Sequence, residues 1–307
     1  MTALLRPAGV LSLLAFGVAA ALAPAAEREA DVRVESGVEY STAGGESLAL
    51  DIAIPKGDGP FPCVVMFHGG AWQLGSRRET SAGRRDGNGK VGPSWIEQAA
   101  AKGYVAASVS YRLAPKHKFP AMIEDARSAV RFLRAHARTY KIDPDKFAAM
   151  GFSAGGHLAL LCGLCDKSAG FDVGGNLGVS GRVQCVVNFF GPTDLKLYAA
   201  SEGLEDGYLV PVFGKEAKTD PDVYKKASPV TYVAKDSPPV LLLHGTLDLI
   251  VPIKHSELLK KALIDAGATA ELVTVPFGGH GGWSAREMAR PTAEMYKFLD
   301  THLKGKK

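Results

Sequence analysis

The chain has 307 residues, 46% of them hydrophobic and 22% charged, with a formal net charge of +4. That is the balance of an ordinary globular protein with enough apolar material for a sizeable core. The small charge, part of it in Lys304, Lys306 and Lys307, and the lack of a basic stripe with interleaved aromatics argue against nucleic-acid binding.

In chain order, the first segment reads as a targeting peptide. Arg6 precedes an apolar stretch from Ala8 to Ala23, and Ala23-Pro24-Ala25 offers the small residues that a signal peptidase accepts. Cleavage is expected after Ala25 or Ala26. The stretch is alanine-rich and short for a bilayer, so export to the periplasm or medium is expected, without stable membrane insertion of the mature protein. Residues 26–307 then read as a single domain with surface excursions.

Asp31 to Tyr40 and Leu48 to Ile54 alternate apolar and polar residues around Gly44-Gly45, which predicts an antiparallel hairpin. Beyond Cys63 the pattern changes to short apolar runs: Val64 to Phe67, Val105 to Val109, Phe147 to Met150, Val186 to Phe190, Val240 to Leu243 and Leu272 to Val275. Runs of this kind suit parallel strands covered on both faces. Amphipathic segments at Ile123 to Arg138, Ile253 to Ala266 and Ala285 to Leu303 alternate with them. The expected fold is therefore a three-layer α/β sandwich. Ser76 to Pro93 and Lys167 to Gly181 read as surface loops, with Arg77, Arg78, Arg84 and Arg85 solvated. Ala200 to Ser228 is expected to form a small cap.

Cys63, Cys162, Cys165 and Cys185 are expected to be buried structural thiols. Cys162 and Cys165 lie one helical turn apart, a poor geometry for bridging. No His joins them at zinc spacing, so no metal site is expected.

The chemistry concentrates in four passages. Gly151-Phe152-Ser153-Ala154-Gly155 follows an apolar run and opens the helical run His157 to Leu164, the strand–turn–helix context of a nucleophile elbow. Ser153 is then a candidate nucleophile at the apex, beside the free N–H groups of a helix start. His68-Gly69-Gly70-Ala71-Trp72 follows the strand ending at Phe67. Such a turn can aim backbone N–H groups at a developing oxyanion, with Gly70, Ala71 and Ala154 as the candidate donors. His68 is expected to brace this loop. His280, in Gly278-Gly279-His280-Gly281-Gly282 after the final strand, is the candidate base. His117, His136, His157, His244, His255 and His302 are worse placed, and His157 is expected to brace the core. Asp248, in His244-Gly245-Thr246-Leu247-Asp248, is the preferred orienting acid, because nucleophile, acid, base is the usual order for a serine on such an elbow. Asp194, in Gly191-Pro192-Thr193-Asp194, is its rival, with a turn-shaping role as the alternative.

These motifs, together with Tyr111-Arg112-Leu113-Ala114-Pro115 running on to Phe119-Pro120-Ala121, resemble those of the α/β-hydrolase superfamily. The nearest branches are the hormone-sensitive-lipase-like esterases and the bacterial bifunctional acetylxylan/feruloyl esterase group. The match extends from about Leu48 to the C-terminus. The lipase-like branch usually has a third glycine where this chain has Ala71-Trp72, and in that respect the chain looks like the deacetylase/feruloyl esterase and formamidase-like branches, of which the targeting segment favours the exported carbohydrate esterases. The Ser76 to Pro93 insertion departs from both.

The resemblance implies hydrolysis of a small-molecule or carbohydrate ester in two steps through an acyl-enzyme, with no metal or organic cofactor. Short acyl groups, acetyl above all, are expected. Trp72 and Trp283 flank the loops concerned and are candidate substrate-binding residues, with core or rim packing as the plainer alternative. A peptidase or amidase of the same fold is the competing enzymatic reading. A non-catalytic binding protein on a hydrolase scaffold is the non-enzymatic one.

Overall fold

The computed structural model describes residues 32–83, 91–201 and 204–305. The segment expected to be a targeting peptide, Arg84, Arg85, Lys306 and Lys307 lie outside the described residues. Among the described residues, eight strands form one sheet: β1 (Arg33–Ala43), β2 (Glu46–Ile54), β3 (Phe61–Phe67), β4 (Val105–Val109), β5 (Ile142–Phe152), β6 (Cys185–Phe189), β7 (Val240–Gly245) and β8 (Ala270–Val275). The helices are α1 (Arg78–Ser81), α2 (Trp95–Ala101), α3 (Ala121–Ala135), α4 (Ala154–Leu164), α5 (Leu195–Ala199), α6 (Val210–Phe213), α7 (Pro221–Ala227), α8 (Lys254–Asp265) and α9 (Ala285–Leu299).

The strand order is β1-β2-β4-β3-β5-β6-β7-β8. β1 and β2 form the antiparallel hairpin, turning at Gly44-Gly45, and β2 also runs antiparallel to β4. From β4 through β8 every pairing is parallel. The apolar runs are continuous because both faces are buried. Val65, Phe67, Ala107, Val109 and Ala149 pack beneath α3, α4 and α8. Their neighbours Val64, Met66, Ala106, Ala148 and Met150 pack beneath α2 and α9. Period-two alternation thus separates two cores rather than core from solvent.

The structure adds three features to the sequence reading. α2, unread in the sequence, begins with a capping box: Ser94 Oγ accepts from the Glu97 N–H, and the Glu97 carboxylate accepts from the Ser94 N–H at 2.7 Å. The Ser76 to Pro93 stretch is not wholly a solvated loop. Arg77 Nε donates to the Asp51 carboxylate at 2.8 Å, and Ser81 Oγ donates to it at 2.6 Å. The Asp51 side chain is fully buried, so it ties α1 to β2. The Lys167 to Gly181 loop is held inward by Asp172, which accepts from Arg127 at 2.7–2.8 Å and from Arg131 at 2.6 Å. Both guanidinium groups are buried, and a charge in that position persists only when paired in this way.

All four cysteines are free and buried. Among the described residues, no helix is long and apolar enough to cross a membrane.

Candidate active site

The candidate residues meet at the C-terminal ends of the parallel strands, where an α/β sheet opens its crevice. Ser153 follows β5 directly with φ 53° and ψ −119°, a conformation seldom adopted by a residue with a side chain. The turn holds because its flanks are stripped of side chains. A Cβ at Gly151 would lie 2.1 Å from the Gly155 carbonyl oxygen, and one at Gly155 would lie 2.1 Å from the Phe67 carbonyl oxygen. The Ser153 N–H donates to the Phe189 carbonyl at 2.9 Å, which fixes the apex against β6.

Ser153 Oγ lies 2.8 Å from His280 Nε2, and His280 Nδ1 lies 2.8 Å from Asp248 Oδ2. With Nδ1 protonated towards the carboxylate, Nε2 is free to accept the serine proton. Asp248 Oδ1 accepts from the N–H groups of Ile250 and Val251, each at 2.9 Å. Its Oδ2 is also 3.3 Å from His244 Nε2. Burial works against ionisation of this carboxyl. The hydrogen bonds from His244 and His280 and the backbone outweigh it, and hold its pKa well below the usual carboxylate range. His244 is itself fixed, with Nε2 donating to the Val251 carbonyl at 2.8 Å and Nδ1 facing Ser256 Oγ at 2.7 Å. Asp194, the rival acid, caps α5, accepting from the N–H groups of Lys196 and Leu197.

The loop after β3 crosses the serine. Gly70, Ala71 and Trp72 have φ of 96°, 52° and 58°, three successive residues in the left-handed region. A Cβ at Gly70 would lie 2.2 Å from the Leu74 carbonyl oxygen, so glycine is required there. The N–H groups of Gly70 and Ala71 donate to no other backbone group among the described residues. Ala154 is the first residue of α4, so its N–H lacks an intrahelical acceptor.

The Tyr111 motif supports this loop. The buried Tyr111 hydroxyl donates to the His68 carbonyl at 2.9 Å, and the Ala114 N–H donates to the Trp72 carbonyl at 2.9 Å. The His68 ring stacks on Tyr111 with centroids 4.2 Å apart, and burial lowers its pKa to about 4. It is thus a neutral brace for the loop. Arg112 in turn grips Asp125 with two nitrogens, both at 2.8 Å from carboxylate oxygens.

A cavity of about 530 Å³ opens over Ser153 and His280. Gly70, Ala71, Trp72, Leu74, Ala114, Pro115, Pro192, Ile250 and Val251 give it a mainly apolar wall. Tyr198 and, from the segment expected to form a cap, Gly207 and Tyr208 complete it. Gln73 Nε2 donates to the Gly207 carbonyl at 3.1 Å, tying that segment to the β3 loop.

Trp72 lines the cavity, whereas Trp283 does not. Trp283 is buried among Phe189 and Phe190, with its indole N–H donating to the Gly279 carbonyl at 3.0 Å. Closeness in sequence to His280 made it a candidate for substrate binding, but the turn through Gly281 and Gly282, with φ of 73° and 67°, carries its ring into the core. Phe190, unremarked in the sequence, packs 4.8 Å from the His280 ring. No group of three or more His, Cys, Asp and Glu among the described residues is placed to hold a metal ion.

Residues 50–263 match the BD-FAE family model. Esterase LipC of Mycobacterium tuberculosis is 28% identical over 225 residues, an overlap covering 72% of this chain and 53% of LipC. The chain spans about half the length of the curated relatives it matches. Among solved structures, a truncated carbohydrate esterase from gut microbiota aligns with a TM-score of 0.72 at 26% identity, covering 89% of this chain and 98% of that one. Esterase 2 of the planctomycete Thermogutta terrifontis with butyrate bound aligns with a TM-score of 0.68 at 27% identity, covering 89% and 94%. The same esterase is also known phosphonylated by cyclosarin. The sheet order, the elbow and a match across most of the described chain lead to one conclusion: the chain belongs to the BD-FAE family and has the α/β-hydrolase fold.

Proposed function

We propose that this chain is an exported serine esterase that hydrolyses short-chain carboxylic esters, with acetyl or feruloyl groups on plant polysaccharide as the substrate class. The observation that carries the reading is the unbroken hydrogen-bonded series Ser153–His280–Asp248 at the mouth of an apolar cavity. Ser153 attacks the ester carbonyl as His280 Nε2 takes its proton, and Asp248 stabilises the resulting imidazolium. The carbonyl oxygen becomes an oxyanion facing the N–H groups of Gly70, Ala71 and Ala154. Collapse expels the alcohol, protonated by His280, and leaves an acyl group on Ser153. Water activated by His280 then attacks, releasing the acid and restoring the serine.

Short acyl groups are supported by the likeness to an esterase that binds butyrate. A carbohydrate alcohol is supported by the likeness to a gut carbohydrate esterase. Export rests on the Arg6 to Ala25 pattern, and is tested by sequencing the N-terminus of protein recovered from the periplasm or medium. The substrate class is tested by kcat/KM for p-nitrophenyl esters from acetate to decanoate, alongside acetylated xylan, methyl ferulate and a peptide amide. A maximum at four carbons or fewer is expected. A maximum at eight or more, or preference for the amide, overturns the reading.

A further inference from the structure

His157 is buried one turn after the nucleophile, and the proposed reaction has no use for it. Both its ring nitrogens are nevertheless occupied. Nδ1 accepts from the Trp72 indole N–H at 3.2 Å, and Nε2 donates to the Ala227 carbonyl at 2.7 Å. Only a neutral imidazole with the proton on Nε2 meets both demands. Burial lowers the His157 pKa to about 4, which keeps that form at neutral pH.

Trp72 is held from two sides. His157 fixes its indole edge-on, with centroids 5.1 Å apart, and Ala114 fixes its carbonyl. A bulky residue keeps a left-handed φ of 58° only where its surroundings determine it strongly. The indole is almost fully buried yet forms part of the cavity wall. It is therefore a fixed surface rather than a ring free to swing.

Trp72 also sits next to Gly70 and Ala71, whose N–H groups face the proposed oxyanion. The indole and Ser153 line the same cavity, so an acyl group carried on Ser153 shares that cavity with the indole.

We infer that Trp72, clamped by His157 to the α7 end at Ala227, is the wall that limits acyl-chain length. His157 is a positioning residue in this role, because it acts on substrate only through Trp72. The inference rests on the esterase reading and adds to it the residue that sets its acyl preference.

The test is the ratio of kcat/KM for p-nitrophenyl octanoate to that for acetate. Trp72→Leu should raise the ratio at least tenfold, since each newly accommodated methylene contributes roughly a factor of four. Trp72→Phe and His157→Leu should raise it less. His157→Gln, which can both accept from the indole and donate to Ala227, should stay near wild type. Circular dichroism checks folding, and if Trp72→Leu does not fold, the other variants decide. A ratio within twofold of wild type in folded Trp72 and His157→Leu variants overturns the inference and leaves the esterase reading intact. Absence of wild-type turnover on every ester overturns both.

Discussion

Changing Asp248 to Asn replaces the accepting oxygen that faces His280 and His244 by a donor, and the structure dictates the consequence. Oδ1 accepts two backbone N–H groups, each at 2.9 Å, so only the amide oxygen of the asparagine can occupy that side. Its NH₂ group must then face His280 Nδ1, now 2.8 Å from Oδ2. To accept from that amide, His280 moves its proton to Nε2, the atom facing Ser153 Oγ. The serine is left without a base. Loss of turnover on the order of 10⁴-fold is expected, equivalent to about 5.5 kcal/mol of transition-state stabilisation. KM should move little, because Asp248 does not line the cavity. Asp194→Asn is the control: asparagine caps a helix about as well as aspartate, so kcat should stay within about twofold. Steady-state hydrolysis of p-nitrophenyl acetate by both folded variants provides the measurement. If Asp248→Asn retains more than about a tenth of wild-type kcat, or Asp194→Asn loses as much, the tautomer argument is wrong.

Tyr111→Phe removes the hydroxyl that braces the His68 carbonyl. About 1–3 kcal/mol of stability should be lost, seen as a Tm decrease of several degrees, with a lower kcat as the proposed oxyanion loop loosens. Burial lowers the pKa of His68, His157 and His255 to about 4 each, against roughly 6.5 in the unfolded chain. Because the unfolded state takes up these protons first, their contribution is complete above about pH 6.5 and is lost as pH falls towards 4. Urea midpoints should accordingly fall steeply across that window, and a flat profile would refute the buried-neutral assignment. The four thiols are buried, and burial raises the pKa of each, to about 12 for Cys162. Iodoacetamide should leave the native protein unlabelled by intact mass and add four groups after denaturation.

Local context made most of the candidate site's geometry legible in the sequence. The elbow carries its own strand, turn and helix, and the Gly69-Gly70 and Gly279-His280 turns each follow a recognisable strand. Asp248 could be preferred to Asp194 from chain order. The structure gives the physical contrast: one acid faces His280, while the other spends its oxygen on a helix cap. Tertiary pairings were not legible. Asp51 with Arg77 and Asp172 with Arg127 are 26 and 45 residues apart, and charged residues in glycine-rich stretches read as solvated. α2 was different. Ser94 and Glu97 supplied a capping-box signal that the unperiodic residues before it obscured. Trp283 shows the limit of proximity in sequence, since three residues beyond His280 its ring is already in the core.

The central claim is that Ser153 is the group acylated during ester hydrolysis, and stoichiometric labelling with paraoxon tests it most directly. Intact mass should show one phosphoryl adduct per chain, peptide mapping should place it on Ser153, and ester hydrolysis should fall in proportion to labelling. Ser153→Ala should take up no label and retain no more than about a thousandth of wild-type turnover, the residue left by the oxyanion hole and binding. Full activity in the labelled protein, or a label mapping to another residue with activity lost in step, would contradict the account.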